Sequence, residues 1–566
     1  MLTLWNDLML AMRKLRRDLL WTSLVVGLLG LGLGAHLVIF SLVDSIVLRP
    51  LPYQDAESLV QVWEHDFFNE NDRSLAAIPN ILDWQDRSQS FEDFAFFLPG
   101  SGNLRGETEP MRLQEGIVST NYFDLLGVQP ALGRFFRPEE AERGNTRVAI
   151  ISHALWLSWF GGERGLIDQF VNLEGAQYQV IGVLPPGFRY PHPGVGKEPD
   201  LWRPIPVSLY LEARHYHFVE VIARLKADVS LAAAQEEMTS LSRRLSQEYP
   251  GTNTHRGVSL ESLRAHVSGD VRQPLLLLLG AVGLLLLITF SNVGMLMLSR
   301  AEARQREVAL RTALGGKRWS LLRPMVLESL LLAVAGALLA WVLAPFALRA
   351  ILAADAWQLA RTDEIALRLP ALGTTLLLVL LTVVVCGLGP ALGTLGRRSC
   401  YDTLRQDGRA VSLGFKSARW QQGLVVGEVA LAILLLFGAG LLTRSYLQLL
   451  EVDPGFETEG GLTASLWVLS AEYKDPAQFV QLQEQLLERL ESRPDVQAAA
   501  AVSLLPLQPS RRQESFSIDG QPHAGVEAPL AELRKASRGY FSAAGIPLLE
   551  GRLSAARTRS MACRWR

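Results

Sequence analysis

Ionisable side chains are missing from long stretches of this chain, and that absence limits its fold more than any other feature. A helix that crosses a bilayer needs about 20 consecutive residues almost free of charge. The runs Leu19 to Val43, Pro274 to Ser299 and Leu369 to Gly396 contain no Asp, Glu, Lys or Arg. Pro324 to Leu348 holds only Glu328, and Trp420 to Thr443 only Glu428. These runs predict an integral membrane α-helical protein with about five transmembrane helices, at 19–43, 274–298, 324–348, 369–396 and 420–443. A cleaved signal peptide is the alternative for the first run, which is longer than the usual signal h-region.

Short cytoplasmic connections collect Lys and Arg, so the loops orient the spans. Arg13, Lys14, Arg16 and Arg17 sit in the leader, residues 1–18. The loop at 299–323 carries Arg300, Arg304, Arg306, Arg311, Lys317, Arg318 and Arg323 against Glu302 and Glu307, and the loop at 397–419 repeats the bias. The link at 349–368 is balanced. The leader and both basic loops are therefore expected inside, leaving two large extracytoplasmic segments at 50–270 and 446–566. The 55 basic and 57 acidic residues nearly cancel, which gives no support to nucleic-acid binding. Cys386, Cys400 and Cys563 are too far apart in sequence for a metal knuckle or a disulfide framework.

The first external segment reads as mixed α/β, with room for two lobes. Leu231, Ala234, Met238, Leu241 and Leu245 recur at helical steps of three and four. Val148 to Ile151 and Tyr178 to Leu184 read as buried strands, the second closed by Pro185-Pro186-Gly187. Self-comparison adds a repeat. Leu24-Val25-Val26-Gly27 recurs as Leu424-Val425-Val426-Gly427, and Tyr122-Phe123, Gly127 and Gly133-Arg134 recur at the same spacing as Tyr540-Phe541, Gly545 and Gly551-Arg552. The order and position of both matches argue for duplication of a unit of one span, one external domain and three spans. The second copy lacks its later part, so a truncated or frame-shifted product is expected, with 446–566 an incomplete second domain.

Motifs for chemistry are sparse. Gly315-Gly316-Lys317 is the nearest approach to a phosphate-cradling loop, but Arg318 follows where Ser or Thr is needed. No catalytic residues, bound cofactor or metal are expected, although His215 and His217 would share a face of a strand and could form part of a metal site with further ligands. Glu302 and Glu307 each precede an Arg by four, and Gly315-Gly316 supplies a stop, so a short charged helix is expected in the 299–323 loop. It reads either as a docking site or as a solvated basic loop. Glu328 and Glu428 lie inside spans near basic ends; an acid there is a functional candidate by default, with structural ion pairing as the alternative.

The segment Arg300-Ala-Glu-Ala-Arg304-Gln-Arg306-Glu307-Val-Ala-Leu-Arg311-Thr-Ala-Leu314-Gly315, running on to Leu327-Glu328-Ser329-Leu330, resembles the loop and third span of FtsX-like, MacB-type ABC transporter permeases. Gly389-Pro390-Ala391 and Asp402-Thr-Leu404-Arg405 resemble the close of that unit, 274–406. Asn121 to Arg134, with Tyr122, Phe123, Gly127, Gly133 and Arg134, is similar to the MacB periplasmic core domain, as are Ile151 to Trp156 and Val180 to Phe188. The two-copy layout, with Val452-Asp453-Pro454-Gly455-Phe456 opening the second half, is most similar to the acidobacterial duplicated orphan permeases, ADOP.

The resemblance implies a permease subunit in the bacterial inner membrane, N-terminus cytoplasmic and large domains periplasmic, that uses no ATP itself. A separate MacB/LolD-type ATPase would drive it, with a membrane-fusion protein and an outer-membrane channel as further partners. Its spans would pass ATP-driven motion to the periplasmic domains for efflux, the mode called mechanotransmission. Arg300, Glu302, Arg304, Arg306, Glu307, Arg311 and Gly315 would then form the ATPase contact. The alternative is an FtsX-like regulatory transducer that acts on a cell-envelope partner and transports nothing. An ion-coupled secondary transporter fits poorly, because the two halves share one orientation.

Overall fold

The structure, a computed structural model, describes residues 2–66, 71–105, 110–191, 198–254, 256–303, 318–353, 365, 367–388, 415–458, 460–466, 476–508, 513–515 and 530–550. The chain divides into two compact units, one of residues 1–49 and 268–452, the other of 50–267 and 453–566. Its principal helices are α1 (Leu2–Arg17), α2 (Leu19–Val43), α3 (Ile78–Arg87), α4 (Leu231–Glu248), α5 (Arg272–Ala303), α6 (Arg318–Ala353), α7 (Leu369–Thr382), α8 (Phe415–Leu450) and α9 (Pro476–Glu491).

Among the described residues, five helical segments are long and apolar enough to cross a membrane: Leu19–Leu48, Arg272–Ala301, Arg323–Ala353, Leu369–Leu388 and Val425–Leu450. Most extend beyond the uncharged runs, because a helix continues through flanking charges that reach the interface. Two ends stand apart. The leader, to which the sequence assigns no element, is the helix α1, set off from α2 by a single break at Asp18 (φ −123°, ψ 63°). The fourth span passes from α7 into a π-helical turn, Val383–Leu388, and its expected last eight residues lie outside the described residues.

No hydrophobic force draws helices together in lipid, so close backbone approach has to supply the packing. α2 meets α6 where Gly30 faces Leu339 and Gly336 faces Leu29; a Cβ on Gly336 would sit 2.6 Å from that of Leu29. Leu29, Leu33, Phe290, Val293, Leu332 and Ala333 form the core of this bundle. α8 contrasts with the others: none of its described residues is buried.

The external unit is built on β1 (Leu59–Asp66), β2 (Asn71–Ser74), β3 (Phe91–Arg105), β4 (Pro110–Val118), β5 (Leu132–Gly133), β6 (Val148–Ile151), β7 (Phe170–Leu173), β8 (Ala176–Val183), β9 (Leu201–Pro204), β10 (Glu220–Leu225) and β11 (Arg256–Ser262). They form one sheet, ordered β11-β1-β10-β3-β4-β9-β6-β8-β5, with β2 beside β1 and β7 bridging β3 and β8. β3 is 15 residues long and pairs β10 through residues 91–97 and β4 through 97–105, so one strand carries the sheet across the whole domain.

Three apolar cores line that sheet. α4 buries Ala234, Met238, Leu241 and Leu245 against Val60, Val62, Phe94 and Val221, and each large side chain buried this way stabilises by about 1.5–3 kcal/mol. Ser230 caps α4 by accepting a hydrogen bond from the Ala233 amide, 3.2 Å. A central aromatic core gathers Phe97, Tyr122, Phe123, Phe135 and Trp202, and a third surrounds Ile151, Leu155, Val180 and Leu201. Residues 453–550 add α9 and a two-stranded sheet of β12 (Gln513–Ser515) and β13 (Leu530–Glu532).

Candidate coupling site between the second and third spans

The basic loop does not begin where the uncharged run ends. Residues 299–303 remain on α5 and residues 318–323 already belong to α6, so the loop is shorter than 299–323. Arg304, Arg306, Glu307, Arg311 and Gly315 lie outside the described residues, and Glu302 is placed only as a backbone position on α5. The expected short helix between them falls in the same gap.

Arg300, in the last turn of α5, is the described residue that ties this loop to the bundle. Its guanidinium lies 3.5 Å from Glu328 Oε1 on α6 and 3.7 Å from Asp18 Oδ2. Its central carbon stacks 4.1 Å from the ring centroid of Trp21 on α2. One arginine thus holds three helical elements, with a planar fork suited to a carboxylate and a face suited to an indole. Arg323 makes a parallel tie, 3.7 Å from Asp7 Oδ2 on α1. A small cavity beneath Arg300 is lined by Met297, Ala301, Met325, Glu328, Cys386 and Gly387.

The two intramembrane acids differ in their surroundings. Glu328 is buried, 4% exposed, and paired, so the structural ion pair is its observed state. Glu428 lies half-buried on α8. Sequence reading passed over His36, which sits inside the first span, stacks on Phe40 at 5.8 Å, and has a buried Nδ1 with no hydrogen-bond partner among the described residues. The signal was there, since an imidazole is the one titratable group in that run, but a search for Asp, Glu, Lys and Arg does not find it.

The external motif is structural in its geometry. Tyr122 and Phe123 are fully buried. Gly127 and Gly133 adopt φ of +67° and +73°, a region costly for other residues, and Gly133 backs onto the Ile181 carbonyl. Arg134 forks onto Glu140 at 2.6 and 3.1 Å and donates to the Phe135 carbonyl. These residues fix the course of the chain into the sheet.

The histidine pair resolves differently from a metal site. His215 lies in a turn and not on a strand, so the shared face does not form. His217 Nδ1 sits 2.5 Å from Glu64 Oε2, and Glu64 also accepts from the Asn80 side chain at 2.8 Å. Burial alone would raise the Glu64 carboxyl, but His217, Arg256 and Asn80 together hold it below the usual carboxylate range. Among the described residues no group of three or more His, Cys, Asp or Glu could hold a metal ion.

Comparison with known proteins agrees with this architecture. Residues 22–241 match the MacB-like periplasmic core domain and residues 279–399 the FtsX-like permease C-terminal region. The chain is 24% identical over 332 residues to the macrolide export ATP-binding/permease protein MacB of Bdellovibrio bacteriovorus, covering 57% of this chain and 49% of that protein. It is 28% identical over 283 residues to the pyoverdine export ATP-binding/permease protein PvdT of Pseudomonas syringae pv. tomato, covering 48% and 40%. The chain thus spans about half the length, or less, of the curated relatives it matches. Among solved structures it is similar to the periplasmic region of MacB from Actinobacillus actinomycetemcomitans, with TM-score 0.29 and 13% identity over 39% of this chain and 92% of that one. It is also similar to the extracellular domain of the noncanonic ABC-type transporter YknZ from Gram-positive bacteria, with TM-score 0.26 and 16% identity over 36% and 99%. The chain thus carries, in order, a region similar to the MacB-like periplasmic core domain and a region similar to the FtsX-like permease C-terminal region, and over both it is similar to export proteins of the MacB and PvdT kind.

Proposed function

We propose that this chain is the membrane subunit of an export system in which a separate MacB/LolD-type ATPase docks on the loop after Ala303 and drives the external domain. The observation that carries this reading is the position of Arg300. It stands at the last turn before the loop and is tied at once to Glu328 on the third span and to Asp18 and Trp21 at the start of the first. A load on the loop is therefore shared among three helices, and packed interfaces respond by switching between discrete arrangements and not by stretching.

In this reading the leader and the basic loops face the cytoplasm and the mixed α/β domain faces the periplasm, as the loop charges favour. ATP is the partner's ligand and this chain holds no cofactor. A membrane-fusion protein and an outer-membrane channel would complete an efflux path. The second half fits a partial copy of the first, within the two-copy layout of the ADOP permeases.

Co-purification tests the reading. Glu307→Lys combined with Arg311→Glu is expected to abolish recovery of an ATPase subunit with the affinity-tagged chain while leaving the external domain resistant to protease. Unchanged recovery would overturn the docking assignment. Labelling a cysteine at position 212 from the cytoplasmic side of inverted vesicles would overturn the topology.

A further inference from the structure

The helix α1 is the least explained element of the membrane unit. It leads directly into the first span, and its two faces differ. Ala11 and Leu15 are buried against the bundle, and Thr22 donates its hydroxyl to the Leu15 carbonyl at 3.0 Å, which fixes the elbow at Asp18. The two acids of this segment also point inward, Asp7 toward Arg323 and Asp18 toward Arg300.

What remains outside is apolar and basic. Trp5 and Leu10 are 62% and 53% exposed, and Leu19 and Leu20 just past the elbow 67% and 82%. Arg13, Arg16 and Arg17 are exposed, Lys14 is half-buried, and none of the four has an acidic partner among the described residues. Asp7 is half-buried, and Asp18, though 55% exposed, is turned to Arg300, so the cations of the outward face outnumber its one open carboxylate.

We propose that α1 is a headgroup-binding arm that lies on the leaflet entered by the first span and selects anionic lipid. Continuity identifies the occupant: α1 is one break away from a membrane-spanning helix, so the leaflet is already beside it. Trp5 and Leu10 flank the cations on the outward face and reach the headgroup boundary beside them, while the cluster at Arg13–Arg17 matches a negative surface. Because Asp7 and Asp18 reach the arginines at either end of the 304–317 loop, headgroup binding would also fix the position of both loop ends.

The test uses the full chain in lipid nanodiscs of phosphatidylcholine, with and without a minority of phosphatidylglycerol. A spin label on Leu10→Cys, in a chain with Cys386, Cys400 and Cys563 replaced, reports depth by collision with oxygen or with a water-soluble nickel complex. Competition with a fluorescent phosphatidylglycerol reports selectivity. The label is expected at headgroup depth, and Arg13→Gln with Arg16→Gln and Arg17→Gln is expected to lower the preference for the anionic lipid by about a hundredfold at low salt, at about fivefold per cation, and by less as salt rises. Replacing the same three by Lys should restore it, which separates charge from folding. A water-exposed label in both lipids, an anionic preference unchanged in the glutamine variant, or burial of the label only when an ATPase or a second copy of the chain is bound would each overturn the proposal.

Discussion

The same short motif is folded twice in this chain, once inside a core and once at a surface. Around Tyr122, the residues Tyr122–Leu125 form a helical turn, the Val128 amide donates to the Phe123 carbonyl at 3.1 Å, and Gln54 donates its amide to the Leu126 carbonyl at 3.3 Å. Around Tyr540, the turn spans Tyr540–Ala543, the Ile546 amide donates to the Phe541 carbonyl at 2.8 Å, and Glu457 donates its amide to the Ala544 carbonyl at 2.9 Å. Gly127 and Gly545 take φ of +67° and +66°. Yet Phe123 is fully buried and Phe541 is 41% exposed. Local sequence suffices to set the turn; burial is supplied by the eleven-stranded sheet that, among the described residues, the first segment builds and the second does not.

The spans repeat the lesson. Leu24-Val25-Val26-Gly27 opens a helix whose Val25, Leu29 and Leu33 are buried, whereas Leu424-Val425-Val426-Gly427 belongs to α8, in which no described residue is buried. The first helix has α5 and α6 to close on it. This difference can be broken or sharpened by paired substitutions. The largest expected effect is at the aromatic core: Phe123→Ala should cost about 3–5 kcal/mol, while Phe541→Ala should cost under about 1 kcal/mol. Pulse proteolysis of the full chain in detergent measures both, and equal losses would mean that the second segment has a core of its own.

The next pair lies in the spans. Gly30→Val forces a branched side chain against Leu339 and should destabilise the bundle by about 1–3 kcal/mol. Ala430→Val, the matching position on α8, should be neutral in a thermal-shift assay of the same detergent-solubilised chain. A smaller contrast is set by the two acids. Glu328→Gln weakens a buried, charge-assisted contact to Arg300 and should cost about 1.5–3 kcal/mol, against no measurable change for Glu428→Gln. A deficit at Glu428 equal to that at Glu328 would show that α8 has a partner in the membrane.

How far the sequence could be read follows from how local each signal is. Val148–Ile151 is a strand with the expected limits, α4 occupies the expected helix with Ser230 as its cap, and Gly187 ends its segment at φ +79°. Each rests on a period or a turn residue within one element. β3 drew no expectation from the sequence: Pro99, Gly100 and Gly102 are residue types that seldom sit inside a strand, yet the strand runs through them, held in the sheet by pairing with β4 on one side. The Glu64–His217 pair joins residues far apart in sequence and has no local signature at all. Arg300 was singled out for its charge, but its partners Asp18 and Trp21 became visible only through helix packing.

The smallest effect concerns acid, and it sets a buried carboxylate of the first segment against an exposed one of the second. Glu64 and Asp495 both lie below their ordinary values. For Glu64, burial opposes ionisation, but His217 and its other partners prevail; for Asp495, hydrogen bonding from Arg493 is the cause. A carboxyl held low in the folded state binds fewer protons there than when unfolded, so its contribution is complete above its unfolded value, near 4.5 for Glu, and drains away as pH falls through the folded value. Glu64 is 1% exposed and anchors β1 to the Ala77–Asn80 turn through two hydrogen bonds, so its protonation removes interactions that water cannot replace. Asp495 is open to solvent, where salt and water screen the Arg493 contact. Hydrogen exchange of the 59–66 amides is therefore expected to accelerate below pH 4.5, to be faster already at neutral pH in Glu64→Gln with the acid step lost, and to be unaffected by added salt. The 493–496 amides should show no such step. An acid step shared by both segments would mean that the exposed pair carries as much of the fold as the buried one, and the contrast between the two halves would fail at its most sensitive point.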